Sequence, residues 1–342
     1  MVPTATILAR STFRNKHGKT AHGLIRYGTR YKITSVIDES CTGEDAGELL
    51  GLGTLGIPVI NEVPSGDDCL IIGVAPSGGK LPAEWREDIK TAIGNGMDII
   101  SGLHQFIGDD TEFCALAEKA GVSIHDVRRP PRELLIASGN RSKVPVVLSI
   151  GTDACVGKRT LIMELIKSAR AAGYNPGFIA TGQTGIMIGC DAGITIDSLP
   201  ADFMSGMVEK MILDVEEQGK DIIFVEGQGA ISHHAYGAVT HGILYGAQPH
   251  GLVVVHAPTR THRSSFPLLP MPALEDELKV LKAHTQSPVL GIGLNCSENL
   301  ERADCSKHIQ EYEKKFGLPV EDAILGGADK IFKNIEQVLL KK

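Results

Sequence analysis

The sequence predicts an α/β protein built on two mostly parallel sheets, and three observations predict it. Short apolar runs alternate with helical patterns from end to end, as in successive βαβ units. The chain has 342 residues, where one domain takes roughly 150. The alternation also restarts after a polar stretch, Ala137-Ser138-Gly139-Asn140-Arg141-Ser142-Lys143. Two domains are therefore expected, over residues 1–138 and 144–342.

In the first domain, strands are expected at residues 5–9, 33–38, 69–74, 98–101 and 122–126. Helices are expected at 44–53, 83–94 and 111–120, with Gly121 closing the last of them. This succession reads as a Rossmann-like domain. His17-Gly18-Lys19-Thr20 imitates the end of a phosphate loop, but the upstream glycine is missing. It is expected to open a helix and to meet a ligand only there. Asp38 falls about where a Rossmann acid meets a ribose, yet no G-x-G-x-x-G precedes it, so NAD is not expected. Gly78-Gly79-Lys80 reads as a turn.

The second domain opens with the near-continuous apolar run 144–150, suited to a strand buried on both faces. Further strands are expected at 177–181, 221–226, 251–256, 289–294 and 319–324. Helices are expected at about 157–172, 202–218, 273–285, 298–316 and 328–340.

The first strand of this domain runs into Gly151-Thr152-Asp153-Ala154-Cys155-Val156-Gly157-Lys158-Arg159-Thr160, and a helical pattern follows. Strand, glycine-bounded loop, Gly-Lys and helix make the context of a P-loop NTPase-type domain. Such a loop turns backbone N–H groups inward, and the helix N-terminus and lysine add positive charge. Lys158 is therefore expected to reach phosphates. The loop departs from the usual pattern twice. Five residues, not four, separate Gly151 from Gly157, and Arg159 stands where Ser or Thr normally holds Mg²⁺. The hydroxyl comes one residue later, at Thr160, which is a candidate Mg²⁺ ligand. Downstream, residues 221–225 carry Glu226 to a strand's C-terminal end, as a Walker-B strand carries its acid. Glu226 is the second candidate Mg²⁺ ligand.

This pair of motifs resembles dethiobiotin synthetase and related P-loop ligases, which carry a Gly-Thr-Asp-x-x-Val-Gly-Lys loop and Glu-Gly-x-Gly. Thr181-Gly182 matches their second strand. The lysine those enzymes use there is replaced by Gly177, which argues against dethiobiotin synthesis itself. Asn295 stands where they read an adenine edge. A second resemblance covers nearly the whole chain. It rests on the order of Lys19-Thr20-Ala21-His22-Gly23, the phosphate loop, Thr181-Gly182-Gln183-Thr184-Gly185, Asp197 with Asp202-Phe203, Glu226-Gly227-Gln228-Gly229 with His233, and Ala257-Pro258-Thr259-Arg260. These are similar to a family with a Rossmann-like N-terminal domain and a P-loop domain, some of whose members are D-glutamate N-acetyltransferases of the DgcN type. Where relatives often have His-Pro, this chain has His233-His234.

The remaining polar residues are assigned by position. Thr181, Gln183 and Thr184 are expected to form a second backbone cradle near the substrate, with Gln228 beside it. Asp197 is expected to meet a substrate amine or Mg²⁺, and Arg260 to clamp a carboxylate or phosphate through its planar fork. His233, a few residues after the Walker-B strand, is a candidate general base for amine acylation. Six histidines lie between His233 and His262, but their spacing fits no zinc motif.

Composition narrows the classes. Net charge is −7 with an isoelectric point near 6.0, which provides no footprint for nucleic acid or an anionic membrane. No apolar stretch approaches a membrane span, and the N-terminus lacks the pattern of a signal peptide. Seven cysteines without a CxxC spacing suggest reduced thiols and a cytoplasmic protein. A homo-oligomer acting on a small molecule is expected. Three functional readings remain. One is acylation of a small acidic amino acid by acetyl-CoA, which the family resemblance implies. The second is an ATP·Mg²⁺-dependent ligase or kinase, which the acids Asp153, Asp197 and Glu226 favour. The third is a nucleotide-gated regulatory protein without turnover.

Overall fold

The computed structural model describes residues 1–74, 78–297, 304–322 and 324–341. They divide into two compact units. The first comprises Met1–Pro130 with Ile186–Gly189, and Met187 lies in its core. Its strands are β1 (Thr4–Leu8), β2 (Lys32–Ile37), β3 (Val59–Ile60), β4 (Cys69–Ile72), β5 (Asp98–Ser101) and β6 (Ile124–Asp126). They form one sheet in the order β3-β2-β1-β4-β5-β6, parallel throughout. This is the doubly wound order, which reverses direction between β1 and β4 and is the Rossmann arrangement. Every residue of β4 is buried, as a central strand covered on both faces requires.

Helices α1 (Lys19–Tyr27), α2 (Ala46–Leu49), α3 (Arg86–Gly94) and α4 (Thr111–Ala120) accompany this sheet. Asp110 caps α4 by accepting the N–H groups of Glu112 and Phe113, and Gly121 ends it in the left-handed region at φ 72°. The helix expected over 44–53 is only the single turn of α2, because Gly51 and Gly53 carry a helix poorly. The two-residue edge strand β3 is too short to show a period in the sequence.

The second unit contains β7 (Val146–Gly151), β8 (Pro176–Ala180), β9 (Ala192–Gly193), β10 (Ile222–Val225), β11 (Gly251–His256), β12 (His262–Arg263), β13 (Phe266–Pro270), β14 (Val289–Leu294) and β15 (Val320–Asp322). Seven of them form a parallel sheet in the order β15-β14-β11-β7-β10-β8-β9. β12 and β13 pair as a separate antiparallel hairpin. The helices are α5 (Lys158–Ala171), α6 (Gln183–Ile188), α7 (Ala201–Glu216), α8 (Gly237–Ala247), α9 (Leu274–His284), α10 (Ser306–Phe316) and α11 (Asp329–Ile335), the last continuing into a π-turn over Glu336–Leu340. In the helix expected over 298–316, residues 298–303 lie outside the described residues; residue 323 of the expected strand 319–324 does too.

Several expectations change. Residues 181–185 are not all loop, since α6 begins at Gln183. Neither α8 nor the β12–β13 hairpin was legible, since α8 is rich in glycine and the hairpin in proline. The units divide between Pro130 and Pro131, and the polar stretch 137–143 belongs to the second. Glu209 on α7 holds it by accepting the backbone N–H groups of Ser138 (3.0 Å) and Gly139 (2.8 Å). Reduced thiols are not found throughout. Cys296 and Cys305 form a disulfide across 5.8 Å between Cα atoms, because the fold brings the end of β14 to the start of α10. Among the described residues, no helix is long and apolar enough to cross a membrane.

Candidate functional site

The site forms where β7 ends between its neighbours β10 and β11. β7 is buried along its whole length, so its register is fixed, and Gly151 is delivered at its C-terminal end. The loop then turns through Cys155 at φ 55° and Gly157 at φ 105°, with Val156 buried as its apolar anchor. α5 starts at Lys158 with no side-chain cap and no acidic residue in its first turn. Its leading N–H groups and its dipole therefore suit an anion. Lys158 is buried. Its Nζ donates to the carbonyls of Asp153 (2.6 Å) and Gly229 (2.7 Å), tying the loop to the chain that follows β10. Burial pushes its pKa down to about 8.

Asp153 is fully buried inside the loop. Its Oδ2 accepts from Arg260 (2.8 Å) and from the backbone N–H of Ser264 (2.6 Å). Arg260 also donates to the carbonyls of Ala154 (2.9 Å) and Cys155 (3.2 Å). Arg260, expected to clamp a carboxylate or phosphate, thus clasps the loop itself. The other Asp153 oxygen, Oδ1, faces His233 Nε2 at 3.4 Å, and neither atom has a good hydrogen bond.

His233 Nδ1 accepts the N–H groups of Ala235 (3.0 Å) and Tyr236 (3.2 Å). Its proton must then sit on Nε2, toward Asp153. Burial, with Arg263 nearby, lowers its pKa and keeps the ring neutral. The ring is further held by stacking on Tyr236 (4.6 Å) and an edge contact with Phe266 (5.0 Å). A ring so held donates at Nε2 and accepts at an occupied Nδ1. The expected general base at His233 does not fit this arrangement.

Thr152 is supported from behind. Its hydroxyl shares a 2.8 Å hydrogen bond with His256 Nδ1, and its carbonyl accepts from Arg263 (3.3 Å). Burial pushes the His256 pKa down to about 4. Arg263 also donates to the hydroxyl of Ser232 (2.7 Å), whose N–H and O–H donate to the buried Glu277. Arg263, Ser232 and Glu277 were not singled out from the sequence, and His256 only as one of the six histidines between His233 and His262. Arg263 and Thr152 are 111 positions apart, and no local pattern marks such a pair.

Glu226 follows β10 and is buried, which raises its pKa. Its Oε1 lies 3.5 Å from Arg159. Thr181 donates its hydroxyl to the Glu226 carbonyl (2.8 Å), and Gln228 donates to the Thr181 carbonyl (2.6 Å). Thr181 and Gln228 therefore stitch the end of β8 to the end of β10. Gln183 and Thr184 are buried in α6. Asp197 lies in the 3₁₀ turn Ile196–Ser198. Asn295 follows β14 and turns the chain: its Oδ1 accepts from Ser297 N–H (3.0 Å) and its own N–H donates to His256 (2.8 Å). Thr160 is half-buried on α5. Among the described residues, no three His, Cys, Asp or Glu side chains gather as a metal-ligand set.

Comparison with known proteins follows this division. Residues 135–332 match the model of a domain of unknown function, DUF1611_C, described as a P-loop domain. Residues 39–130 match DUF1611_N, described as a Rossmann-like domain. A protein from Tritonibacter scottomollicae named D-glutamate N-acetyltransferase is 36% identical over 272 residues, 78% of this chain and 80% of that one. A second protein of that name, from a Pseudoalteromonas species, is 34% identical over 305 residues, 87% and 90% of the two chains. The crystal structure of a DUF1611 family protein from Anabaena variabilis superposes with a TM-score of 0.89 at 32% identity, covering 98% of this chain and 99% of that one.

Proposed function

The chain belongs to the DUF1611 family, and from that premise we propose that it N-acetylates a small acidic amino acid, D-glutamate first, using acetyl-CoA. The observation that carries this reading is the likeness, across both units, to two relatives bearing that activity in their names. The site contributes an anion cradle with two cations, Lys158 and Arg159, at an uncapped helix start. In this reading the cradle of Gly151, Thr152, Asp153, Val156, Gly157, Lys158, Arg159 and Thr160 holds the phosphates of coenzyme A, and Asn295 lies toward the adenine. The substrate's ammonium first gives a proton to water; the free amine attacks the thioester carbonyl, the C–S bond breaks, and the leaving thiolate takes up the proton that the new amide nitrogen sheds. Asp197, in the 3₁₀ turn Ile196–Ser198, receives the substrate's ammonium. Arg260 and His233 act through Asp153, as groups that hold the loop.

A panel of D- and L-amino acids with acetyl-CoA, followed by mass spectrometry, tests the reading. N-acetyl-D-glutamate is the expected product. Consumption of ATP with an acidic substrate, and no acetylated amine, would replace this reading with the ligase or kinase. Ligand binding with no turnover of either kind would leave the regulatory protein.

A further inference from the structure

In P-loop NTPases the residue after the lysine is a Ser or Thr, and an acid at the end of the Walker-B strand faces it. Between them they hold the Mg²⁺ that meets the phosphates. In this chain the same two places are joined without a metal. The residue after Lys158 is Arg159, and its Nη1 lies 3.5 Å from Glu226 Oε1, the two side chains being 19% and 8% exposed. Glu226 Oε2 is buried without a hydrogen bond, and it abuts Gly185, where an added Cβ would come within 2.5 Å of it. One carboxylate oxygen thus faces a fixed cation and the other a backbone wall. Thr160, the next hydroxyl, is turned about 100° farther round the helix. Thr160 and Glu226 therefore do not fit as a Mg²⁺ pair.

We propose that Arg159 takes the place of the divalent ion, joining Glu226 to the bound anion, so that the loop holds phosphates without Mg²⁺. This rests on the reading of the loop as the acyl donor's phosphate site. A guanidinium is a permanent cation whose planar fork matches two phosphate oxygens. With Lys158 it supplies two positive charges at the helix start. A dication arriving there would meet both of them, and an acid already neutralised by Arg159. The ligand class that fits is a phosphomonoester or pyrophosphate used as a handle, as in coenzyme A. A triphosphate whose transfer needs a bridging metal fits poorly.

Calorimetry on the full-length protein with coenzyme A, in EDTA and in Mg²⁺, tests this. The wild type should bind with the same affinity in both, within about twofold. Arg159→Thr should bind about 10- to 100-fold more weakly in EDTA, the scale of one charge-assisted contact. It should recover on addition of Mg²⁺, since the hydroxyl and Glu226 are then released to hold the ion. Arg159→Lys should lose less and gain nothing from Mg²⁺. Wild-type binding that disappears in EDTA overturns the proposal and leaves the donor-site reading standing. Folded wild type that takes up coenzyme A in neither condition overturns both. Should Arg159→Thr fail to fold, the wild type and Arg159→Lys decide.

Discussion

Each unit sends a central strand into a helix through a turn at the C-terminal edge of its sheet, β1 into α1 and β7 into α5, and the protein fills the two turns in opposite ways. After β1, the buried carboxylate of Asp38 accepts the N–H groups of Ser11 (3.1 Å), Thr12 (3.1 Å) and Phe13 (2.8 Å). It also accepts the N–H (2.9 Å) and hydroxyl (2.7 Å) of Ser40. One acid at β2's end thus holds the chain just after β1, and the position that would meet a ribose in a dinucleotide fold is used internally, while the start of α1, like that of α5, has no side-chain cap and no acid in its first turn. After β7, the acid Asp153 is held by Arg260 and Ser264. The start of α5 is left with Lys158 and Arg159 and no cap. Topology makes both turns capable of taking a ligand. What separates the two turns is where the chain's own acid goes: Asp38 accepts backbone N–H groups of its turn, whereas Asp153 is held by Arg260 and Ser264.

The comparison breaks most readily at the lysines. Lys158→Ala should weaken coenzyme A binding by about 100-fold or more, the scale of a lost charged contact. Lys19→Ala, in the look-alike sequence of the first turn, should leave affinity unchanged. Calorimetry on both variants reads this, and equal losses would mean that the two turns are not distinct. Asp38→Ala should lower the stability of the first unit by about 3 kcal/mol, since the backbone N–H groups of Ser11, Thr12, Phe13 and Ser40 lose their acceptor together. It should leave coenzyme A affinity intact. A denaturation midpoint unmoved by this change would contradict the internal role of Asp38.

The smallest effect concerns pH. The Lys158 pKa is lowered to about 8 in the free protein, and only the protonated form attracts an anion. Affinity for coenzyme A should therefore hold below that pH. Above it, affinity should fall by up to about tenfold per pH unit while the bound lysine stays protonated. Lys158→Arg should remove the slope, because arginine does not titrate in this range. Titrations across pH with both proteins would show it, and a flat wild-type profile would place the lysine outside the anion's reach.

The sequence alone determined the fold class, both parallel sheets, and the phosphate loop from Gly151 to Thr160. Each is written locally. A strand buried on both faces must be apolar along its length, as β7, β10 and β11 are, and a loop that cradles phosphate needs glycine and lysine at fixed spacing next to a helix. Glu226 was legible for the same reason, as the acid at the end of an apolar run. What those polar residues face was decided only by the tertiary structure. Arg260 meets Asp153 from 107 positions away. Arg263, Ser232 and Glu277 join behind Thr152. His233 has its proton fixed by the backbone N–H groups of Ala235 and Tyr236. The Cys296–Cys305 bond belongs with them, since it depends on where β14 ends and α10 begins. Periodicity reports which side of an element is buried. It carries no information about which of several buried charges will share a cavity, because that depends on the order in which strands are laid side by side.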